Sequence, residues 1–201
     1  EGVVAGPYLD SRGTPTYGIG HSAAAGPPDP AEMPRGTVRN LDAGIVEVFR
    51  LFDEDLMAYE IDVLEAINVP VEQHEFDALV SFHYNTGGIA KAALTRHLNN
   101  GDRKKAAEAF MNWRSPPEII PRRKAEQRLF RDGVYPLGPV PVWGVFDDAS
   151  VDWSKPLRLL SRDQVMVHLA PPAPEQEQPA EGGFIARLIR AIIALFRRLR
   201  G

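Results

Sequence analysis

The sequence contains no cysteine, which excludes disulfide bonds and thiolate metal sites. This absence is compatible with the cytosol and with the periplasm equally. An excess of basic charge is also lacking, because the formal net charge of the 201 residues is -4. Global electrostatics therefore indicate neither nucleic acid as a partner nor attraction to an anionic cell wall.

The composition is typical of a soluble globular protein, with 44% hydrophobic and 25% charged residues. The length predicts one good-sized domain with an appendage. The 18 prolines indicate a substantial amount of irregular chain.

The first 21 residues carry the most informative pattern. Glu1 is followed by eight residues and Asp10, and Asp10 by five residues and Thr16, in a segment rich in Gly and Pro. That density of helix breakers predicts short strands joined by turns, with a hairpin tip at Gly13. Two carboxylates suit hydrolysis of a glycosidic bond, because one donates a proton while the other stays charged. From spacing alone, the alternative is a solvated turn Asp and a frayed terminal Glu.

Two longer helices are predicted after this segment. The first runs over 41–68 from an N-cap at Asn40, and apolar residues recur along it at three- and four-residue steps. Its acidic side is interpreted as a solvated face without a chemical role. The second covers 73–87 and is apolar nearly all round, as expected of a buried central helix. Three shorter helices are predicted over 89–98, 102–113 and 121–130.

Several segments resemble one family, in the same order along the chain. The string Glu1-x8-Asp10-x5-Thr16 runs directly into YGIGH, and FDALVSFHYNTGG, LTRHLNNGD, AFMNW and PRRKAEQRLFRDG follow it. Together they resemble the phage-type lysozymes, or endolysins, of glycoside hydrolase family 24. The resemblance covers 1–133. It implies an α+β, mainly α, lysozyme-like fold, with a small β-hairpin subdomain and a helical lobe flanking a cleft.

The resemblance also implies an activity. It indicates a muramidase that cuts the β-1,4 bond between N-acetylmuramic acid and N-acetylglucosamine in peptidoglycan by an inverting mechanism. Glu1 would be the general acid, and Asp10 and Thr16 would position the attacking water. Neither a metal nor an organic cofactor is implied. Two alternatives remain, a membrane-permeabilising or glycan-binding protein without catalysis and a lytic transglycosylase, although Asp10 and Thr16 argue against the latter.

Other residues are candidates for contact with the substrate. Gly20 lets a ligand approach the backbone, and Tyr84 and Asn85 end the central helix at the implied cleft floor. A packing and capping role is the alternative for Tyr84 and Asn85. His21 has no second His or Cys at metal spacing, so we expect it to be a structural, hydrogen-bonding residue.

Two expectations concern the start of the chain and the C-terminal side of the central helix. An α-ammonium at Glu1 would favour the charged carboxylate, which is the wrong state for a proton donor. We therefore expect the natural protein to extend upstream with an apolar helix.

Arg122, Arg123 and Glu126 are expected to form an ionic network at i,i+3 or i,i+4 spacing.

The remaining segments are assigned by composition. Residues 22–38 are expected to form a surface loop on the cleft rim, and 134–169 an extended segment with Pro and isolated aromatic residues. Within the latter, 161–169 could be a short strand or a turn of helix. Residues 170–183 are predicted to be a flexible linker.

The last segment, 184–201, is predicted to be a cationic amphipathic helix. It is too short and too interrupted by Arg to span a bilayer, but it suits an anionic membrane surface. The alternatives are docking on its own domain or on a second copy. The residues expected to contact the membrane are Arg187, Arg190, Phe196, Arg197 and Arg198.

We expect a monomer that acts in the bacterial periplasm or cell wall after synthesis in the host cytoplasm. Peptidoglycan and an anionic membrane surface are its expected partners.

Overall fold

The computed structural model describes residues 2–169. The chain begins with three strands, β1 (Val3–Leu9), β2 (Pro15–Gly18) and β3 (His21–Ser22). β1 pairs antiparallel with β2, and β2 with β3. The predicted hairpin is present, with Gly13 in its turn at a φ of +79°, where glycine is favoured because it has no Cβ.

The connection to the first long helix is fastened to the sheet. It contains two short 3-10 helices, Ala23–Ala25 and Pro30–Glu32. The Val38 N–H then donates to the Ala5 carbonyl at 2.8 Å. The Thr37 hydroxyl donates to the Val145 carbonyl at 3.1 Å and accepts from the Val145 N–H at 2.8 Å. The predicted surface loop is thus anchored at its C-terminal end.

Helix α1 (Leu41–Ala66) begins where the sequence predicts it. Asn40 Oδ1 accepts the Ala43 N–H at 3.2 Å and so satisfies one of the free amides of the first turn. The helix contributes buried residues to two hydrophobic clusters. One cluster joins α1 to the sheet and includes Val3, Tyr17, Ile45, Phe49 and Val142.

The second cluster is formed by the helices that follow. These are α2 (Gln73–Thr86), α3 (Ala93–Asn99), α4 (Arg103–Ala109) and α5 (Ile120–Asp132), with 3-10 helices at Ile89–Lys91, Phe110–Trp113 and Pro117–Ile119. α2 is the central element, and its buried side chains face the neighbouring helices. The mainly α, α+β architecture agrees with the prediction.

Residues 134–169 differ from the extended segment that we predicted. They form β4 (Val140–Val145), β5 (Val151–Asp152), β6 (Arg158–Leu160) and α6 (Arg162–Leu169). β4 pairs parallel with β1, and both β5 and β6 pair antiparallel with β4. The sheet is therefore mixed and larger than a hairpin. These strands are short, and β4 is flanked by strands on both sides, so no sustained alternation of apolar and polar residues marks them.

Helix α6 settles the open alternative for 161–169. The His168 ring stacks on Phe49 of α1, with the centroids 5.0 Å apart. The predicted linker and the predicted cationic helix lie outside the described residues. Among the helices within 2–169, none is both long enough and apolar enough to cross a bilayer.

Candidate active site

Asp10 lies at the start of the turn between β1 and β2. Its Oδ1 accepts hydrogen bonds from the N–H groups of Arg12 and Thr14, both at 2.8 Å. Asp side chains often accept hydrogen bonds from the backbone of their own turn. Asp10 therefore has the structural role of a turn residue, one of the two roles that the sequence allows. The same two bonds also fix the direction of the carboxylate.

Thr16 is buried, with 5% of its surface exposed. Its hydroxyl donates to the Thr14 carbonyl at 3.0 Å, and that carbonyl also accepts the Asp10 N–H at 3.0 Å. Thr16 pairs with Tyr8 in the strand register, which makes Asp10 its diagonal neighbour, with Cα atoms about 7–8 Å apart. The hairpin therefore brings Asp10 and Thr16 together.

Thr16 has its hydroxyl proton directed at a carbonyl oxygen. Its oxygen lone pairs are the part that can bind another donor, such as a water molecule. Glu1, the third predicted catalytic residue, lies outside the described residues, and its role stays a prediction.

Tyr84 connects the helical lobe to the segment after β2. Its hydroxyl donates to the Ile19 carbonyl at 2.6 Å. Gly20, which follows Ile19 in the chain, has a φ of +95°. A Cβ at this position would lie 3.1 Å from the Tyr84 hydroxyl and 3.3 Å from Tyr84 Cε1. A glycine at position 20 thus lets the tyrosine ring approach the backbone closely.

The Tyr84 ring is also held from the side of α1. Phe52 and Tyr59 pack edge-on against it, with centroid distances of 5.6 and 4.9 Å. Burial raises the pKa of the Tyr59 phenol, and the carboxylates of Asp55 and Asp62 raise it further. Tyr84 is therefore fixed on several sides by packing and by one hydrogen bond.

Asn85 is oriented by a buried ionic network. Its Oδ1 accepts a hydrogen bond from Arg123 Nη2 at 2.9 Å, and the same nitrogen donates to Glu126 Oε1 at 2.9 Å. Ser81 also donates to Glu126 Oε1, at 2.8 Å. Arg123 is fully buried over the Phe82 ring, at 5.2 Å from its centroid.

The expected ionic network at this place is thus present, and Arg122 also lies near Glu126, at 3.7 Å. Within 2–169, no cluster of three or more His, Cys, Asp or Glu side chains is arranged to hold a metal ion.

Comparison with known proteins identifies the family. The model of the family described as "Phage lysozyme" matches residues 1–126, which include the hairpin and most of the helical lobe. The chain belongs to the phage lysozyme family. It is 35% identical to the endolysin of Salmonella phage P22 over 129 residues, which cover 61% of this chain and 84% of that endolysin.

Solved structures of related proteins agree with this family membership in their fold. It is similar to an endolysin from Escherichia coli O157:H7 phage FAHEc1, with a TM-score of 0.56, 30% identity and coverage of 68% of this chain and 88% of the other. It is also similar to the muramidase domain of SpmX from Asticaccaulis excentricus, with a TM-score of 0.52, 26% identity and coverage of 65% and 88%. The lysozyme-like fold that we predicted is therefore confirmed.

His21 is a structural, hydrogen-bonding residue, as expected. Its Nδ1 lies 3.0 Å from Asp55 Oδ2 and its Nε2 lies 2.9 Å from the Pro28 carbonyl. Both His21 and the Asp55 side chain are buried. The predicted solvated acidic face of α1 is therefore wrong for Asp55, because nothing in a run of acidic residues distinguishes the one that turns inward.

His83 holds three elements of the helical lobe together. The Ile89 N–H points at Nδ1 at 3.5 Å, which makes Nδ1 the acceptor. On the other side of the ring, Nε2 lies 2.9 Å from Asp62 Oδ2. α1 and α2 are thereby joined to the 3-10 helix after α2, close to Tyr84.

Proposed function

We propose that this protein is a muramidase that hydrolyses the β-1,4 bond between N-acetylmuramic acid and N-acetylglucosamine in peptidoglycan. The observation that supports this most is the string Glu1-x8-Asp10-x5-Thr16 within the family match, together with the Thr14 carbonyl that joins Asp10 to Thr16. The names of the similar proteins, an endolysin and a muramidase domain, support the same activity.

In the proposed reaction Glu1 donates its proton to the glycosidic oxygen as the bond to the anomeric carbon breaks. A water molecule attacks that carbon from the opposite face of the sugar, which inverts the configuration. Asp10 Oδ1 is held by the turn amides, and we assign Oδ2 to the water. Thr16 Oγ1 accepts a hydrogen bond from the O–H that the water keeps, and the proton that the water loses passes to Asp10.

We propose different parts for the three residues near the end of α2. The Tyr84 hydroxyl is bound to Ile19, so its ring positions the segment that follows β2. Asn85 Oδ1 is bound to Arg123, which leaves the amide N–H groups to meet a sugar substituent. The Tyr84 ring covers the side of Gly20 where a Cβ would lie, and we propose that the glycan strand lies against the exposed backbone of this glycine.

We further propose that the C-terminal segment directs the enzyme to an anionic membrane surface during host lysis. The support is its sequence pattern alone, with arginines such as Arg187, Arg190, Arg197 and Arg198 opposite an apolar side that includes Phe196. We place the action of the enzyme at the cell wall, where its substrate lies, and we propose that it works as a monomer.

The test of the catalytic assignment uses the natural full-length protein on purified cell-wall sacculi. Glu1→Gln removes the proton donor and should lower the rate of lysis by roughly 10²–10⁴-fold, with an unchanged unfolding temperature. Glu118→Gln is the matched control, because Glu118 is an exposed acid on the described surface. Lysis by Glu1→Gln at a rate close to that of the control would refute the acid role.

Asp10→Asn separates the charge of Asp10 from its role in the turn. The asparagine keeps an Oδ1 that can accept the Arg12 and Thr14 N–H groups, so the hairpin should remain intact. We expect the rate to fall with little loss of stability. If activity instead persists in this variant, Asp10 has only its turn role.

A further inference from the structure

Two tryptophans beyond the family match lie beside the start of β1. Trp143 of β4 and Trp153, which follows β5, pack edge to face with their ring centroids 5.2 Å apart. Trp153 is 63% exposed. A Cβ at Gly2 would lie 2.7 Å from Trp143 Nε1, so this indole rests against the backbone next to Glu1. Trp143 is partly buried, so the pair presents mainly the Trp153 indole to solvent.

The β4–β5 hairpin accompanies β1 over most of its length. Trp143 pairs with Val4 near the beginning of β1, and at its end the Leu9 N–H donates to the Ala149 carbonyl at 3.0 Å. β1 connects the two proposed catalytic carboxylates. The hairpin therefore lies alongside β1 as far as Leu9, the residue before Asp10.

The backbone around Trp153 is fixed by local hydrogen bonds. Asp152 Oδ1 accepts from the Ser154 N–H at 3.0 Å and also from the Ser154 hydroxyl. The Trp153 N–H donates to the Val151 carbonyl at 3.1 Å. A side chain presented on a fixed turn loses little conformational entropy on binding.

We propose that Trp143 and Trp153 form an additional subsite that stacks on a sugar ring of the peptidoglycan strand, outside the two units between which the bond is cut. A sugar ring has an apolar C–H face that packs on an indole, and polar edges that meet the indole N–H. A polymeric substrate continues beyond the cleft, and Trp143 lies against Gly2 at the start of β1, the strand that leads to Asp10. This inference rests on the proposed function, because it takes the glycan strand as the occupant.

The first test compares a long and a short substrate. Trp153→Ala should raise KM for sacculi roughly three- to tenfold, which corresponds to the loss of one aromatic contact. The increase should be smaller for a soluble fragment of two disaccharide units. Trp153→Phe keeps an aromatic face and should recover most of the loss. Leu137→Ala is the control, because Leu137 is an apolar side chain with 90% exposure, and it should behave as the unsubstituted protein.

The second test measures binding without turnover. The Glu1→Gln protein is sedimented with sacculi, with and without Trp153→Ala, and the fraction bound is compared. Weaker binding of the double variant supports the subsite even if the chain cleaves no glycan, which separates this inference from the catalytic one. Equal binding and equal KM would overturn it. So would a dimer in sedimentation velocity that Trp153→Ala dissociates, because a second copy would then be the occupant.

Discussion

The Tyr84 hydroxyl donates to the Ile19 carbonyl at 2.6 Å and so joins the central helix to the segment that follows β2. Thr16 and Gly20 flank this attachment point in the sequence. The cleft implied by the fold lies between the lobes that this bond connects. The geometry of the cleft therefore depends on a hydrogen bond within the protein, which forms without any substrate.

Tyr84→Phe tests this attachment. The change keeps the ring but leaves the buried Ile19 carbonyl without the hydroxyl, which should lower the free energy of unfolding by about 1–3 kcal/mol. Activity should fall as well, because the segment after Thr16 loses its anchor. Urea denaturation and initial rates of lysis measure the two effects. Tyr59→Phe is the control, since the structure shows no hydrogen bond from that hydroxyl within 2–169, and equal effects of the two changes would contradict the anchoring role.

Gly20→Ala tests the close approach of the Tyr84 ring. Both Gly20 and Gly13 have positive φ, so alanine costs backbone strain of about 1–2 kcal/mol at either position. Only at Gly20 would the new Cβ also press on Tyr84, whereas nothing lies within 4 Å of a Cβ at Gly13. We expect Gly20→Ala to cost about 1–2 kcal/mol more than Gly13→Ala in thermal unfolding. Similar losses of stability for both variants would show that the Tyr84 ring moves aside at no cost, which would contradict this prediction.

Arg123→Met tests the network beneath Asn85. Removal of one partner of a buried ion pair leaves the Glu126 carboxylate poorly compensated, which typically costs about 3–5 kcal/mol. Arg131→Met removes the same kind of side chain from the same helix, but its pair with Asp132 is exposed to solvent, so its loss should destabilise the protein far less. Urea denaturation of both variants compares the two losses. A loss for Arg123→Met no larger than that for Arg131→Met would contradict the account.

The Tyr135 hydroxyl predicts a dependence of stability on alkaline pH. It donates to Asp77 Oδ2 at 2.6 Å, and partial burial, this hydrogen bond and the Asp77 charge raise its pKa from 10.0 to about 12. The folded state therefore holds the proton more tightly than the unfolded chain does. The stabilisation is complete below about pH 10 and is lost as the pH rises through 12.

The measurement is the free energy of unfolding of the unsubstituted protein and of Tyr135→Phe at several pH values from 9 to 12. Their difference should shrink across the upper part of that range, because phenylalanine does not titrate. A difference that stays constant with pH would contradict the assignment.

The helical lobe could be predicted from local signals. Asn40 before a stripe of apolar residues marks the start of α1, and the structure starts the helix at Leu41. Gly87 and Gly133 mark the ends of α2 and α5, where they adopt the left-handed conformation. Each of these signals acts within a few residues of the element that it defines, so one sequence is enough to read it.

The contacts that shape the candidate site join residues far apart in the chain. Ile19 and Tyr84 are 65 residues apart, and His21 and Asp55 are 34 apart. No local pattern indicates such partners, because each side chain also has an ordinary interpretation in its own segment. The parallel pairing of β1 with β4 was not predicted for the same reason, because its partners Val4 and Trp143 lie far apart in the sequence.

The central claim is hydrolysis of the bond between N-acetylmuramic acid and N-acetylglucosamine, and mass spectrometry of the fragments released from purified peptidoglycan tests it most directly. The account predicts products with reducing N-acetylmuramic acid ends, each carrying the mass of one added water. Products with 1,6-anhydro ends would contradict it and indicate a lytic transglycosylase. An absence of products from folded protein would contradict it in favour of a protein that binds glycan or permeabilises membranes.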